Sequence, residues 1–294
     1  MKAILIWFSI ALISYPAFSQ LPSTDIFIVN IKMKDNKRIF SEPVKISDRT
    51  GYNNQPSFTP DGNALLFSSS TDTLQTDIYQ YQFKDSTILQ ITTTPQSEYS
   101  PVMMKDGKSI SAVRVDDDKA QRLYKIDPES PFDANSIVQH NDSVAYYGWM
   151  NDSTVALCVL NNQTDLQIFT ITSQQYIELE TSGVGRCIVP FPGTEDICYI
   201  KKSSDSTGTI IRYNDASGDR IPVCESLIRS EDFAFMPYGK IWMGRDGKLF
   251  EYSESEKNWT ELADFSKTMG AFYRIAINPK GNRMALVAYQ GKKP

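Results

Sequence analysis

Histidine is almost absent from this chain: His140 is the only one in 294 residues. A Ser-His-Asp hydrolase takes its general base from a histidine, so His140 would have to serve. It sits in the polar stretch Gln139-His140-Asn141-Asp142, and no Gly-x-Ser-x-Gly elbow accompanies it. His140 therefore reads as an exposed loop residue. Cysteine is also scarce. Cys158, Cys187, Cys198 and Cys224 form no CxxC pair of the kind that holds zinc. They allow three disulfide pairings or four buried thiols, and the second reading is preferred because the spacing resembles no staple framework. Cys187 and Cys198 flank one tight turn and could sit on neighbouring strands. Runs of basic residues are missing, and the net charge is −5. Nucleic acid is thereby disfavoured, because its binding rests on neutralising phosphates. The densest acidic cluster, Asp116-Asp117-Asp118, lacks the spacing of a calcium loop and reads as a solvated turn. No metal and no cofactor are expected.

Long apolar runs are lacking except at the start. Lys2, the apolar stretch from Ala3 to Ser14, and the small-residue exit Pro16-Ala17-Phe18-Ser19 have the form of an export signal. Cleavage after Ser19 would leave residues 20–294 as one domain beginning at Gln20. The run is short for a bilayer span, which takes about 20 residues. No cysteine follows at a lipid-attachment position, and no later segment is apolar enough to cross a membrane. The protein is expected outside the cytoplasm, in the periplasm or beyond the cell.

A turn flanked by strands recurs six times. It is clearest in Gln55-Pro56-Ser57-Phe58-Thr59-Pro60-Asp61-Gly62-Asn63-Ala64-Leu65-Leu66-Phe67. Weaker copies stand at Lys105-Asp106-Gly107, Asn151-Asp152-Ser153, Pro192-Gly193-Thr194, Pro237-Tyr238-Gly239 and Pro279-Lys280-Gly281. A period of about 40–45 residues with a short strand on each side signals an all-β propeller. Each turn leads into a short apolar strand, such as Ile110–Val113 or Met284–Val287, and then an alternating strand such as Asp77–Tyr81. A third strand follows in most repeats: Ile88–Ile91, Ile137–Val138, Tyr176–Leu179, Ile221–Val223 and Trp259–Leu262. The sixth repeat stops early, while Asp25–Val29 and Val44–Ser47 stand unassigned near the start. The economical solution is a six-bladed ring closed by N-terminal strands that complete the last blade. A β-sandwich would not need the phased recurrence.

The stretch from Gln55 to Ser69 resembles the WD40-like, or PD40, repeat of the TolB-like family. Pro56, Phe58, Pro60, Asp61, Gly62, Leu66, Phe67, Ile78 and Tyr79 fill that pattern, with Thr59 in place of its usual serine. The second copy keeps Pro101, Asp106, Gly107 and Tyr124; later copies keep the turn and the spacing. The resemblance implies an exported six-bladed propeller that serves as a docking ring in the cell envelope. The turn residues themselves have structural roles: proline presets the backbone, aspartate bonds its own turn, and glycine accepts positive φ.

Function is therefore sought where each inner strand begins, around the mouth of the central channel. Counting back from the turns gives Asn54 and Gln55, Tyr99, Tyr146, Arg186, Asp232, Tyr273 and Arg274. Tyrosine and arginine are favoured binding anchors, and residues carried on a rigid scaffold are where function usually resides. Trp149, Trp242, Phe58 and Phe235 fall at strand positions and are assigned to core packing. The expectation is a non-catalytic propeller that binds a protein or peptide partner. The alternative is a carbohydrate-active enzyme, a lyase or glycosidase, on the same ring. Two carboxylates facing each other at about 5–10 Å would favour the enzyme. Five Asp-Ser/Thr tripeptides, Asp85-Ser86-Thr87 among them, resemble an O-glycan acceptor but read first as turns.

Overall fold

The computed structural model describes residues 21–35, 37–70, 75–138, 143–161, 163–204 and 206–291. The proposed export signal and His140 lie outside them. The described residues form six antiparallel sheets. Five are built from consecutive strands in simple order. The first runs Tyr52–Phe58, Ala64–Ser70, Asp77–Gln82 and Thr87–Gln90. The sixth is composite. Its inner strands, Phe272–Ile277 and Arg283–Tyr289, come from the end of the chain, and Thr24–Lys34 from the start completes it. Seven residue pairs make this closure, from Thr24 opposite Tyr289 to Asn30 opposite Arg283.

The core is divided into six wedges, one between each pair of neighbouring blades. Side chains alternate across a strand, so each strand feeds two wedges. Leu65 and Phe67 pack towards the closing blade with Ile26, Ile28 and Val287. Leu66, between them, packs towards the second blade with Ile110, Ala112 and Ile126. The same alternation divides Ala156 and Cys158 from Val155 and Leu157 in the third blade. Strands buried on both faces explain why these segments read as unbroken apolar runs. The closing wedge draws Val29 and Ile31 from the N-terminal strand against Trp242, Leu249 and Leu286. Arg38 extends it outward, 3.1 Å from Glu251 and hydrogen-bonded to the Tyr238 hydroxyl at 2.6 Å.

The repeated turn has the structure its residues dictate. Asp61 accepts hydrogen bonds from the Thr59 hydroxyl at 2.6 Å and the Asn63 amide at 3.0 Å, which lowers its pKa. Gly62 sits at φ 72°, a conformation that favours glycine. The third turn has no glycine; there the Asn151 side chain accepts from the Ser153 amide at 2.9 Å.

Two strand assignments differ from the sequence expectation. The outer strand of the second blade is Asn135–Ser136 rather than Ile137–Val138, because Val138 turns inward into the wedge with the third blade. Lys37–Phe40 forms an unforeseen edge strand on the closing blade. Its lysine and arginine mask the alternation that would mark it. All four cysteines are free and buried. Cys187 and Cys198 do lie on adjacent strands. Burial pushes the Cys158, Cys198 and Cys224 thiols up to about 12.

Blade spacing is set partly by Gly148 on the inner strand Val144–Trp149. A Cβ there would lie 2.7 Å from the Ile188 carbonyl oxygen in the next blade. Backbone cannot yield as a side-chain tip can. Gly148→Ala is expected to destabilise the ring by about 1–3 kcal/mol, read as a lower urea midpoint; an unchanged midpoint would contradict this packing.

Candidate functional site

Five of the six inner strands share one irregularity. Pairing with the second strand shifts between Asn54 and Ser57, Tyr99 and Val102, Val144 and Tyr146, Val184 and Ile188, and Phe272 and Arg274. A bulge leaves a residue out of the ladder and re-aims its side chain. Gln55 and Ser100, at φ 55° and 54°, each precede a proline that has no amide hydrogen to donate. The Gln55 side-chain oxygen accepts from the Ser100 amide at 2.9 Å, so one bulge satisfies the next.

These bulges bring most of the expected residues together. Arg186 donates through Nε to Asp232 and through Nη2 to the Tyr273 carbonyl at 3.1 Å. Arg274 stands 3.6 Å from the other Asp232 oxygen and 5.7 Å from the Tyr146 ring centre. The Asn54 amide donates to the Tyr273 hydroxyl at 2.6 Å. Burial disfavours the charge on both arginines, and Asp232 more than restores it, so both stay protonated. Tyr99 stands apart from this cluster, edge-on to Tyr52 at 6.2 Å. Tyr52 is a residue the sequence reading missed. It is 5% exposed, and its hydroxyl is held protonated by burial, opposed by Arg274 and aided by Tyr273, Tyr146 and Tyr99. It lies two residues before Asn54, a spacing that places side chains on one face of a strand.

The larger cavity has a volume of about 780 Å³. Its lining runs from Gln55, Ser100, Tyr146, Arg186, Asp232 and Arg274 down the inner strands to the blade turns. The cavity includes these residues of the mouth away from the turns and extends towards the turns as well. Phe58, Trp149 and Phe235, expected in the core, pack against its wedges and also line the cavity wall, and Trp242 is fully buried as expected. A smaller cavity of about 400 Å³ lies beyond, lined by Lys202, Arg229, Glu231, Tyr273 and Tyr289 with several serines. Arg186 lines both and so forms part of the partition.

Carboxylates are few here. Asp232 alone lines the larger cavity, between two arginines. Glu231 in the smaller one pairs with Lys202 at 2.6 Å. Asp116, from the acidic triplet, is 2.8 Å from Arg114 and 2.7 Å from Arg122. Among the described residues, no three His, Cys, Asp or Glu side chains converge as a metal site.

Solved structures share this architecture. A TolB candidate from Agrobacterium tumefaciens superposes with a TM-score of 0.69 at 15% identity, over 92% of this chain and 99% of that one. The protein has a TolB-like propeller fold. TolB from Acinetobacter baumannii gives 0.57 at 12% identity, over 93% of this chain and 66% of that one. An oligogalacturonate lyase solved with manganese also gives 0.57 at 12%, over 86% and 83%. No family model and no curated protein matches the chain. At these identities the likeness establishes the fold alone, which TolB proteins and a lyase share.

One carboxylate of the TolB-like ring is buried on the inner strand Ser97–Met103 of the second blade. Glu98, fully buried, accepts from the Thr92 hydroxyl at 3.1 Å and from Thr94. Burial pushes its pKa up to about 7, with Asp77 adding to the rise and Arg114 opposing it. A carboxyl whose folded pKa is raised contributes stability below its unfolded value and loses it as pH rises through the folded one. Stability should therefore fall by on the order of 3 kcal/mol from about pH 4.5 to 7 through this group. Glu98→Gln should flatten that slope in urea titrations, and an unaltered slope would exclude Glu98 as its source. Asp232→Asn would leave two half-buried guanidinium groups without their counter-ion. Its expected cost is about 3–5 kcal/mol, and a variant as stable as the parent would contradict the role given to Asp232.

Proposed function

We propose that the protein is an exported, non-catalytic ring that takes an extended peptide segment of a protein partner into its channel from the turn side. The observation carrying this reading is the chemistry of the larger cavity. Its wall is apolar and aromatic, through Phe58, Val102, Trp149, Phe235 and Ile277, and its rim is set with Pro192, Pro237 and Pro279. Such a surface binds by burying apolar area around a few fixed polar groups. A glycosidase needs two free carboxylates across the sugar. Here the one carboxylate of the cavity is already engaged by Arg186 and Arg274. The N-terminal leader supports export, and among the described residues no helix is long and apolar enough to cross a membrane. The TolB-like fold supports a place in the cell envelope.

A photo-crosslinking residue at Val102 or Ile277 should trap a discrete protein adduct in cells. The same residue at Tyr176, on the outer edge of the third blade, should not. Equal labelling from both positions, or turnover of a glycan panel by the purified protein, would count against the reading.

A further inference from the structure

We propose that the inner end of the larger cavity, at Arg274, is a receptor for the C-terminal carboxylate of the bound peptide. The inference rests on the channel-binding reading and names the chemistry of its ligand. The charged residues lining the cavity are Lys105, Arg186, Arg274 and Asp232, three cations against one anion. The chain as a whole carries −5. The cavity is thus locally positive within an acidic protein, which selects an anionic ligand.

The two arginines are not equivalent. Arg186 is engaged, with Nε on Asp232 and Nη2 on the Tyr273 carbonyl. Arg274 is not. Its closest carboxylate oxygen is 3.6 Å away, beyond hydrogen-bonding distance. Its Nε is buried and has no hydrogen-bond partner among the described residues. A guanidinium carries five N–H donors in a planar fork, and buried donors are seldom left unpaired. A carboxylate entering the cavity would pair with the guanidinium, whose Nη1 has no hydrogen bond to Asp232.

The shape of the cavity selects a chain end rather than an acidic side chain. Tyr52, from the first blade, lies within electrostatic reach of Arg274 and Tyr273 of the sixth, Tyr146 of the third and Tyr99 of the second. Arg186, which shares Asp232 with Arg274, lines both cavities and is part of the wall between them, so the larger cavity closes at this end. From Arg274 to the rim at Pro279 is five steps along the inner wall, about 17 Å if extended. Four or five peptide residues would line this depth, their apolar side chains against Val102, Trp149 and Ile277. A terminus needs only to enter and stop. An internal aspartate would require the chain to turn back within the same space.

The test uses the intact protein and a random pentapeptide library, prepared once with free C-terminal carboxylates and once amidated. Free acids should bind, and amidation should weaken them by about 10-fold to 100-fold. Arg274→Gln should remove the difference between the two forms, and Arg274→Lys should keep part of it. If Arg274→Gln does not fold, the acid-against-amide comparison on the parent protein still decides. Amides binding as tightly as acids would overturn the carboxylate receptor and leave the channel reading standing. Selection of internal Asp or Glu irrespective of the terminus would overturn it in favour of a side chain. No binding by either form would overturn both.

Discussion

The structure depends on the pairing of the chain's two ends. Seven residue pairs join Thr24–Asn30 to Arg283–Tyr289. Without them, two sheet edges would stand open and the wedges on both sides of the last blade would lose one wall. Ile26 and Ile28 would leave the wedge they share with Leu65 and Phe67; Val29 and Ile31 would leave Trp242 and Leu286. Full burial is worth about 1.5–3 kcal/mol for each such side chain. Four of them make a contribution comparable with the whole stability of an ordinary domain. No blade has a core of its own, so each is held by its neighbours and the ring is the smallest stable unit.

That closed frame is what makes the interior of the channel possible. Arg186, Asp232 and Arg274 come from three different blades, and holding two cations on one carboxylate away from water is costly unless the geometry is fixed. Irregularity of the inner strands contributes to that geometry: Arg186 lies within the register shift between Val184 and Ile188, Arg274 directly follows the one after Phe272, and Asp232 stands just before its strand begins. Rigidity at the wedges and irregularity at the bulges are thus complementary. The second strands are regular and apolar on both faces, while the inner strands give up regular pairing at one level to carry polar groups.

The parts of this design that are local in the chain were legible in its sequence. Asp61 and Gly62 each serve their own turn, so a residue pattern reveals them without any partner. Phasing the turns then exposed the shortfall at the end of the chain and the surplus at the beginning, which is the closure. Arg186, Asp232, Tyr273 and Arg274 followed from the same count. Tyr52 did not, because its importance arises from blades two, three and six meeting across the axis. The bulges were equally hidden, since a register shift exists only relative to a paired strand. The reach of the cavity towards the turns was hidden for a related reason. Phe58, Trp149 and Phe235 have the composition of core residues, and only the closed ring reveals that they face an open channel.

Hydrogen exchange of the amides in Thr24–Lys34 tests the closed ring most directly. If the N-terminal strand completes the last blade, amides of residues 26–30 will exchange as slowly as those of Arg283–Tyr289, both opening only with global unfolding. Rapid exchange in the N-terminal strand, with the last strand still protected, would show an open ring and remove the foundation of this account.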